Sequence, residues 1–304
     1  MAKLRLLYYP GCTMRASNSN GTGFEKSAIA ATKELGIDLV EMEKWYCCNT
    51  VYSMASDDLI KQVAPIRNLV KVQEAGEDKV VSLCSMCTNT LAMANSLVSN
   101  EPDKLETINA FMDTEADYRG EVTVLHLLQV LRDEVGTDKI KKAVKKSLKG
   151  LVLSPYYGCV LTRPKDAAID DPDHPTLMHD LLRALGAEVI EDPYQTECCG
   201  SYHTVANKEI VADRTYQIAE SSKKRGADAL VLTCPLCQFN LDSRQLDARE
   251  LHRNFTGMPV FYFTQLLAIA LGLNPAICNF ENHKVDPIPL LESKGIVKVK
   301  EIAT

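Results

Sequence analysis

The sequence predicts an α/β protein made of two tandem domains related by a pseudo-twofold axis, each a small parallel sheet with flanking helices. Three observations predict it. Eleven cysteines stand in the 304 residues, and ten of them fall into two copies of one spacing. Short apolar runs of strand character alternate with helical stretches, which implies βαβ units and parallel sheets. Each cysteine group follows the end of one of those runs, where open parallel sheets present their ligands. The length suits two domains of about 150 residues, divided here as 1–148 and 149–304.

Taken in order, "RLLYYPGC" (5–12) is an apolar run ending at a glycine and Cys12. "ATKELGIDLVEM" (31–42) is a helix end at glycine followed by a short strand, and it leads to Cys47-Cys48. "EDKVVSLCSMC" (77–87) is a buried strand running into Cys84-x-x-Cys87. The second half repeats the series. "GLVLSPYYGC" (150–159) ends on Cys159, "LLRALGAEVIED" (181–192) precedes Cys198-Cys199, and "ADALVLTCPLC" (227–237) carries Cys234-x-x-Cys237. The offsets between matching cysteines are 147, 151, 151, 150 and 150. Agreement to within four residues at five points marks an internal duplication. The two copies open on "YYPGC" and "YYGC", so Pro10 reads as an insertion in the first.

Between the copies lies "KIKKAVKKSLKG" (139–150), whose six lysines read as a solvated helix face and linker, or as a docking strip for an acidic partner. "VFYFTQLLAIALGL" (260–273) is shorter than the roughly 20 apolar residues a bilayer span needs, and reads as a core helix. "GTG" at 21–23 reads as a loop, and the stretch from His283 onward as an extended tail.

Hydrophobic residues are 46% and charged residues 24%, the balance of a soluble globular protein. The net charge of −6 supplies no global field for nucleic acid or an anionic membrane, so neither is expected as a partner. The N-terminus shows no basic region followed by an apolar one, and a cytoplasmic location is expected. A long chain of this kind does not use its cysteines as a secreted disulfide framework.

Five convergent thiolates repel one another unless a metal compensates them. Zinc closes a structural site with four ligands and would leave one cysteine over in each half. An adjacent Cys-Cys pair suits a cluster of several irons, since neighbouring positions can reach different irons. Each C-x-x-C opens a helix, supported by Pro235 in the first turn, and a helix N-terminus favours anionic sulfur. A thioredoxin-like dithiol is disfavoured, because each C-x-x-C comes with three further cysteines. The sequence contains neither a C-x-x-C-x-x-C-x-x-x-C-P run nor G-x-G-x-x-G after a strand, so electrons are expected to arrive from other proteins.

The duplicated pattern, with "CCGS" at 198–201, resembles the cysteine-rich CCG domain, and two such domains in one chain resemble the B subunit of heterodisulfide reductase. The resemblance implies a noncubane [4Fe–4S] cluster in each half. Cys12, Cys47, Cys48, Cys84 and Cys87 would hold one, and Cys159, Cys198, Cys199, Cys234 and Cys237 the other. It implies reductive cleavage of a mixed disulfide, coenzyme M–coenzyme B or a related small molecule, with one electron delivered from each side of the S–S bond. It also implies a ferredoxin-like C subunit and a flavin-bearing A subunit as partners. Other CCG proteins are non-catalytic electron-transfer subunits of different oxidoreductases, and that is the alternative role. Zinc, in one half or both, is the alternative metal. The first half departs from the motif with "CCNT" (47–50), where Asn49 must tolerate a left-handed backbone.

Arg15, Arg163 and Lys165 follow the first cysteine of each half and are candidates for an anionic substrate end, against a reading as surface charge. His203, after "CCGSY", is a candidate proton donor to a leaving thiolate. Cys278 lies outside the repeat and reads as a buried thiol. Met86 and Met93 read as packing, and Trp45 as a shield for the Cys pair or a core residue.

Overall fold

The computed structural model describes residues 4–16, 21–50 and 59–298. The first half runs β1 (Leu4–Tyr9), α1 (Cys12–Arg15), α2 (Gly21–Glu34), β2 (Ile37–Glu41), α3 (Val63–Glu74), β3 (Lys79–Ser82), α4 (Ser85–Asn100), α5 (Pro102–Phe111), β4 (Thr123–His126), α6 (Leu127–Val130) and α7 (Thr137–Ala143). The second continues with β5 (Val152–Tyr156), α8 (Leu177–Ala184), β6 (Glu188–Val189), α9 (Lys208–Lys224), β7 (Ala229–Leu232), α10 (Pro235–Gln238), α11 (Gln245–Leu251), β8 (Val260–Tyr262), α12 (Phe263–Ala270) and α13 (Ile288–Ser293).

Each half forms one four-stranded sheet, in the orders β2-β1-β3-β4 and β6-β5-β7-β8. Every pairing is parallel. The strands are short and apolar because helices cover both faces; β7 is buried at all four positions. The chain leaves β1 towards β2 on one side and reaches β3 on the other. The strand ends beside β1 are therefore a topological switch point in each sheet, the crevice where open α/β sheets bind.

Three expectations are corrected. The repeat predicted three strands per half, and each half has a fourth, β4 and β8. β8 is the start of the run read as wholly helical: Val260–Tyr262 pair with β7 and only then does α12 begin. The GTG stretch is not a loop but the first turn of α2. Gly23 is needed there because a Cβ would stand 2.2 Å from the Cys278 carbonyl oxygen. The segment from His283 is not extended throughout, since Ile288–Ser293 is helical; residues 299–304 lie outside the described residues.

The halves share one core. Phe24 of α2 stacks on Tyr262 with ring centroids 4.1 Å apart and meets Phe263 edge-on. Ser27 and Thr264 share a hydrogen bond of 2.7 Å, and Asn89 of α4 donates to the carbonyls of Val160 and Arg163. The lysine-rich stretch is fastened rather than free. The amides of Lys145 and Lys146 both bond the Ala270 carbonyl, and the Lys145 ammonium pairs with Glu34.

Candidate metal centre

The sulfurs gather at the switch points. In the first half Cys12 hydrogen-bonds to Cys47, Cys47 to Cys48, and Cys84 to Cys87. The Cys48 and Cys87 sulfurs lie 3.4 Å apart. The second half repeats this with Cys159 to Cys198, Cys234 to Cys237, and 3.3 Å between Cys199 and Cys237. Cys84 also hydrogen-bonds to Cys234, so the two groups touch across the interface. Among the described residues, no three or more His, Cys, Asp or Glu side chains are disposed around a single ion. The sulfurs are instead in pairwise contact, five to a half.

Local structure explains how each cysteine is held. Tyr9 donates 2.7 Å to the Tyr46 carbonyl, just before the Cys47-Cys48 pair, and Tyr156 donates 2.6 Å to the Glu197 carbonyl, just before Cys198-Cys199. These two tyrosines are the matching residues, each three positions before the first cysteine. Pro10 is therefore not an insertion; it stands where the second half has Tyr157, whose hydroxyl reaches His179 instead. Gly11 and Gly158 both adopt positive φ, and a Cβ on them would stand 3.0 and 3.4 Å from the Cys87 and Cys237 sulfurs. Asn49 takes φ 61°, as Gly200 takes 79°, and each directs its amide to the first sulfur of the pair, Cys47 or Cys198. Cys84 and Cys234 are the N-caps of α4 and α10.

Neighbouring sulfurs set one another's protonation. The bond from Cys12 pulls Cys47 far below an ordinary thiol, helped by Cys48 and the Asn49 amide. The same bond, with burial, pushes Cys12 up. Cys159 likewise holds Cys198 down to about 6, assisted by the amides of Gly200 and Ser201 and by Arg214. Bonding to Cys234 pushes Cys84 up, while Cys237 and then Cys84 pull Cys234 down. One sulfur in each group is thus poised as an anion while its neighbours keep the protons, a set of donors that binding of metal would ionise.

A cavity of about 200 Å³ opens between the halves, lined by Asn49, Thr50, Lys61, Gln62, Met86, Asn89, Thr90, Met93, Val160 and Tyr202. It borders the Cys47-Cys48 loop on one side and the Cys198-Cys199 loop on the other, and the Tyr202 hydroxyl bonds the Thr50 carbonyl across it. Met86 and Met93, expected as packing, line its wall.

The non-cysteine candidates are scattered. The Arg15 guanidinium is engaged by Glu25 and Glu41. Arg163 donates to the carbonyls of Thr196 and Pro172. Lys165 is exposed on a turn beside α4, and His203 is exposed with its backbone amide on the Gly200 carbonyl. None of the four lines the cavity. Lys61 and Tyr202 do, and sequence spacing gave no signal for either. Trp45 is half-buried, edge-on to Tyr9 at 5.9 Å. Cys278 is fully buried.

Fold and site define a duplicated α/β protein with a five-cysteine redox site in each half. The chain belongs to the cysteine-rich CCG domain family, in the group that includes the B subunit of heterodisulfide reductase: residues 6–92 and 154–242 match the cysteine-rich domain. It is 32% identical to the 8-methylmenaquinol:fumarate reductase membrane anchor subunit of Wolinella succinogenes, over 93% of this chain and 98% of that one. It is 28% identical to the B subunit of the ferredoxin/F(420)H(2)-dependent CoB-CoM heterodisulfide reductase of Methanosarcina acetivorans, over 96% of both. A crystal structure of a hypothetical protein from Helicobacter pylori shares the fold at a TM-score of 0.71 and 11% identity, covering 92% of this chain and 51% of that one. The chain is therefore an iron–sulfur subunit of a multisubunit heterodisulfide reductase or related oxidoreductase. No helix among the described residues is long and apolar enough to cross a membrane.

Proposed function

We propose that this chain is the catalytic subunit of a disulfide reductase, cleaving a small mixed disulfide of the coenzyme M–coenzyme B kind to two thiols in the cytoplasm. The observation that carries the reading is the pairing of two five-sulfur groups in contact through Cys84 and Cys234, beside a cavity that both Cys-Cys loops border. Cys12, Cys47, Cys48, Cys84 and Cys87 hold one noncubane [4Fe–4S] cluster, and Cys159, Cys198, Cys199, Cys234 and Cys237 the other. When bound, such clusters supply electrons singly, and a disulfide needs two. The chain's own residues do the rest. Tyr9 and Tyr156 fix the loops that carry the Cys pairs. Asn49 and Gly200 turn amides toward the exposed sulfurs, and Met86, Met93 and Val160 keep the approach apolar. Lys165 and Arg163, on the turn beside α4, are the cations nearest the α4 wall for an anionic substrate end, while Arg15 holds Glu25 and Glu41. His203 serves as proton donor from the rim. A ferredoxin-like C subunit and a flavin-bearing A subunit deliver the electrons, and the duplicated units divide at 148/149.

A second reading has its own support. The relative at 32% identity is named for a fumarate reductase complex, and in such a complex this chain would pass electrons without cleaving a disulfide. Iron and acid-labile sulfide are measured first. About eight irons per chain are expected, falling by about half in Cys48→Ala and in Cys198→Ala; two zincs without sulfide, or full loading of both variants, overturn the cluster assignment. Viologen-driven reduction of mixed disulfides by the purified complex then supports the first reading, and fumarate reduction from a quinol without disulfide turnover supports the second.

A further inference from the structure

Tyr262 ends β8 in register with Leu232, two residues ahead of Cys234. Phe24 from the other half stacks flat on its ring, at an interplanar angle of 6°, and the side chain is wholly buried. Among the described residues its hydroxyl has no hydrogen-bond partner. Buried hydroxyls are almost always paired, because an unpaired one forfeits its bonds to water. Burial, then the sulfurs of Cys234, Cys84 and Cys237, oppose its ionisation, which places this hydroxyl beside the seam between the two sulfur groups. The first half differs at the matching position. His126 ends β4 in register with Ser82, two residues ahead of Cys84, and spends its Nε2 on the Leu83 carbonyl at 2.8 Å. One half uses this position on its own backbone; the other keeps a donor in reserve.

We propose that the Tyr262 hydroxyl is the hydrogen-bond donor to sulfur of the iron–sulfur site at the seam where Cys84 meets Cys234, and that it raises the reduction potential of that site. The inference rests on the iron–sulfur reading. A donor to sulfur stabilises the more negative, reduced state, and such bonds are one of the terms that set cluster potentials. The donor is supplied from one side only, so the two sites are unequal and an incoming electron favours the site that Tyr262 serves.

The test compares the full chain with Tyr262→Phe, and with Tyr118→Phe as a control whose buried hydroxyl bonds Asn95 away from the sulfurs. Iron and sulfide are counted, and a reductive titration is followed by electron paramagnetic resonance. The expected result is equal loading in all three and one potential shifted downward in Tyr262→Phe alone. Equal loading with unmoved potentials overturns the inference and leaves the iron–sulfur reading intact. Wild-type protein without iron and sulfide overturns both. Stability of the iron-free chain gives a second readout. Tyr262→Phe should be at least as stable as wild type there, because it removes an unpaired hydroxyl; a marked loss would mean that the hydroxyl serves a protein partner and would overturn the inference.

Discussion

His126 shows how a single buried side chain links the site to pH. It is wholly buried, and burial pushes its pKa down to about 4, against the smaller opposing effects of the Leu83 carbonyl and Cys234. The unfolded chain takes up this proton near pH 6.5 and the folded chain does not. Stability contributed by His126 is therefore complete above about pH 6.5, declines as the pH falls, and is gone below the folded value. The full loss is roughly 3 kcal/mol. Urea unfolding of the iron-free chain at several pH values, compared with His126→Asn, should show this slope in wild type and a shallower one in the variant. Burial also lowers His179 and His283, so a residual slope of the same sign is expected. At this scale the cysteines were legible because ten positions repeat, and Asn49 was legible because few side chains besides glycine tolerate φ 61°. Tyr262 and Lys61 were not. Their importance lies in what the fold brings next to them, and neither belongs to a spaced motif.

The elements were legible wherever the duplication supplied two readings of the same pattern. The glycines that close α2 and α8, Gly36 and Gly186, adopt the positive φ that a helix stop before a strand requires. The C-x-x-C segments start α4 and α10 with the cysteine as cap. The fourth strands were missed because three or four apolar residues running directly into a helix carry too few turns of either period to separate them. The start of α2 was missed for another reason: glycines argue against helix, and close approach of another segment overrides propensity. That override is testable. Propensity alone would have Gly23→Ala stabilise α2 by about 1 kcal/mol. The contact with the Cys278 carbonyl predicts instead a loss of about 1–3 kcal/mol from overpacking, read as a lowered melting temperature. An unchanged or raised value would show that the Cys278 segment yields freely.

The two repeated units behave as one body. α2 of the first lies against α12 of the second, the Phe24–Tyr262 stack is fully buried, and α7 leads into a segment whose amides are tied to Ala270. The full chain should accordingly unfold in a single calorimetric transition, and residues 1–148 expressed alone should aggregate, having lost the cover over Phe24. Two separate transitions would contradict this. The sequence disclosed that there were two units but not how closely they interlock, since the residues at the seam lie outside the repeated pattern. The seam itself has an evolutionary consequence. Ser85 and Thr233 share a buried hydrogen bond between the halves, yet by the offset of 150 their counterparts are Pro235 and Leu83. Two identical copies of either half would set serine against leucine, or threonine against proline, and neither pair can make that bond. An ancestral homodimer could not have had it; only after the copies were fused into one gene could each side of the joint mutate independently and the halves take up different duties.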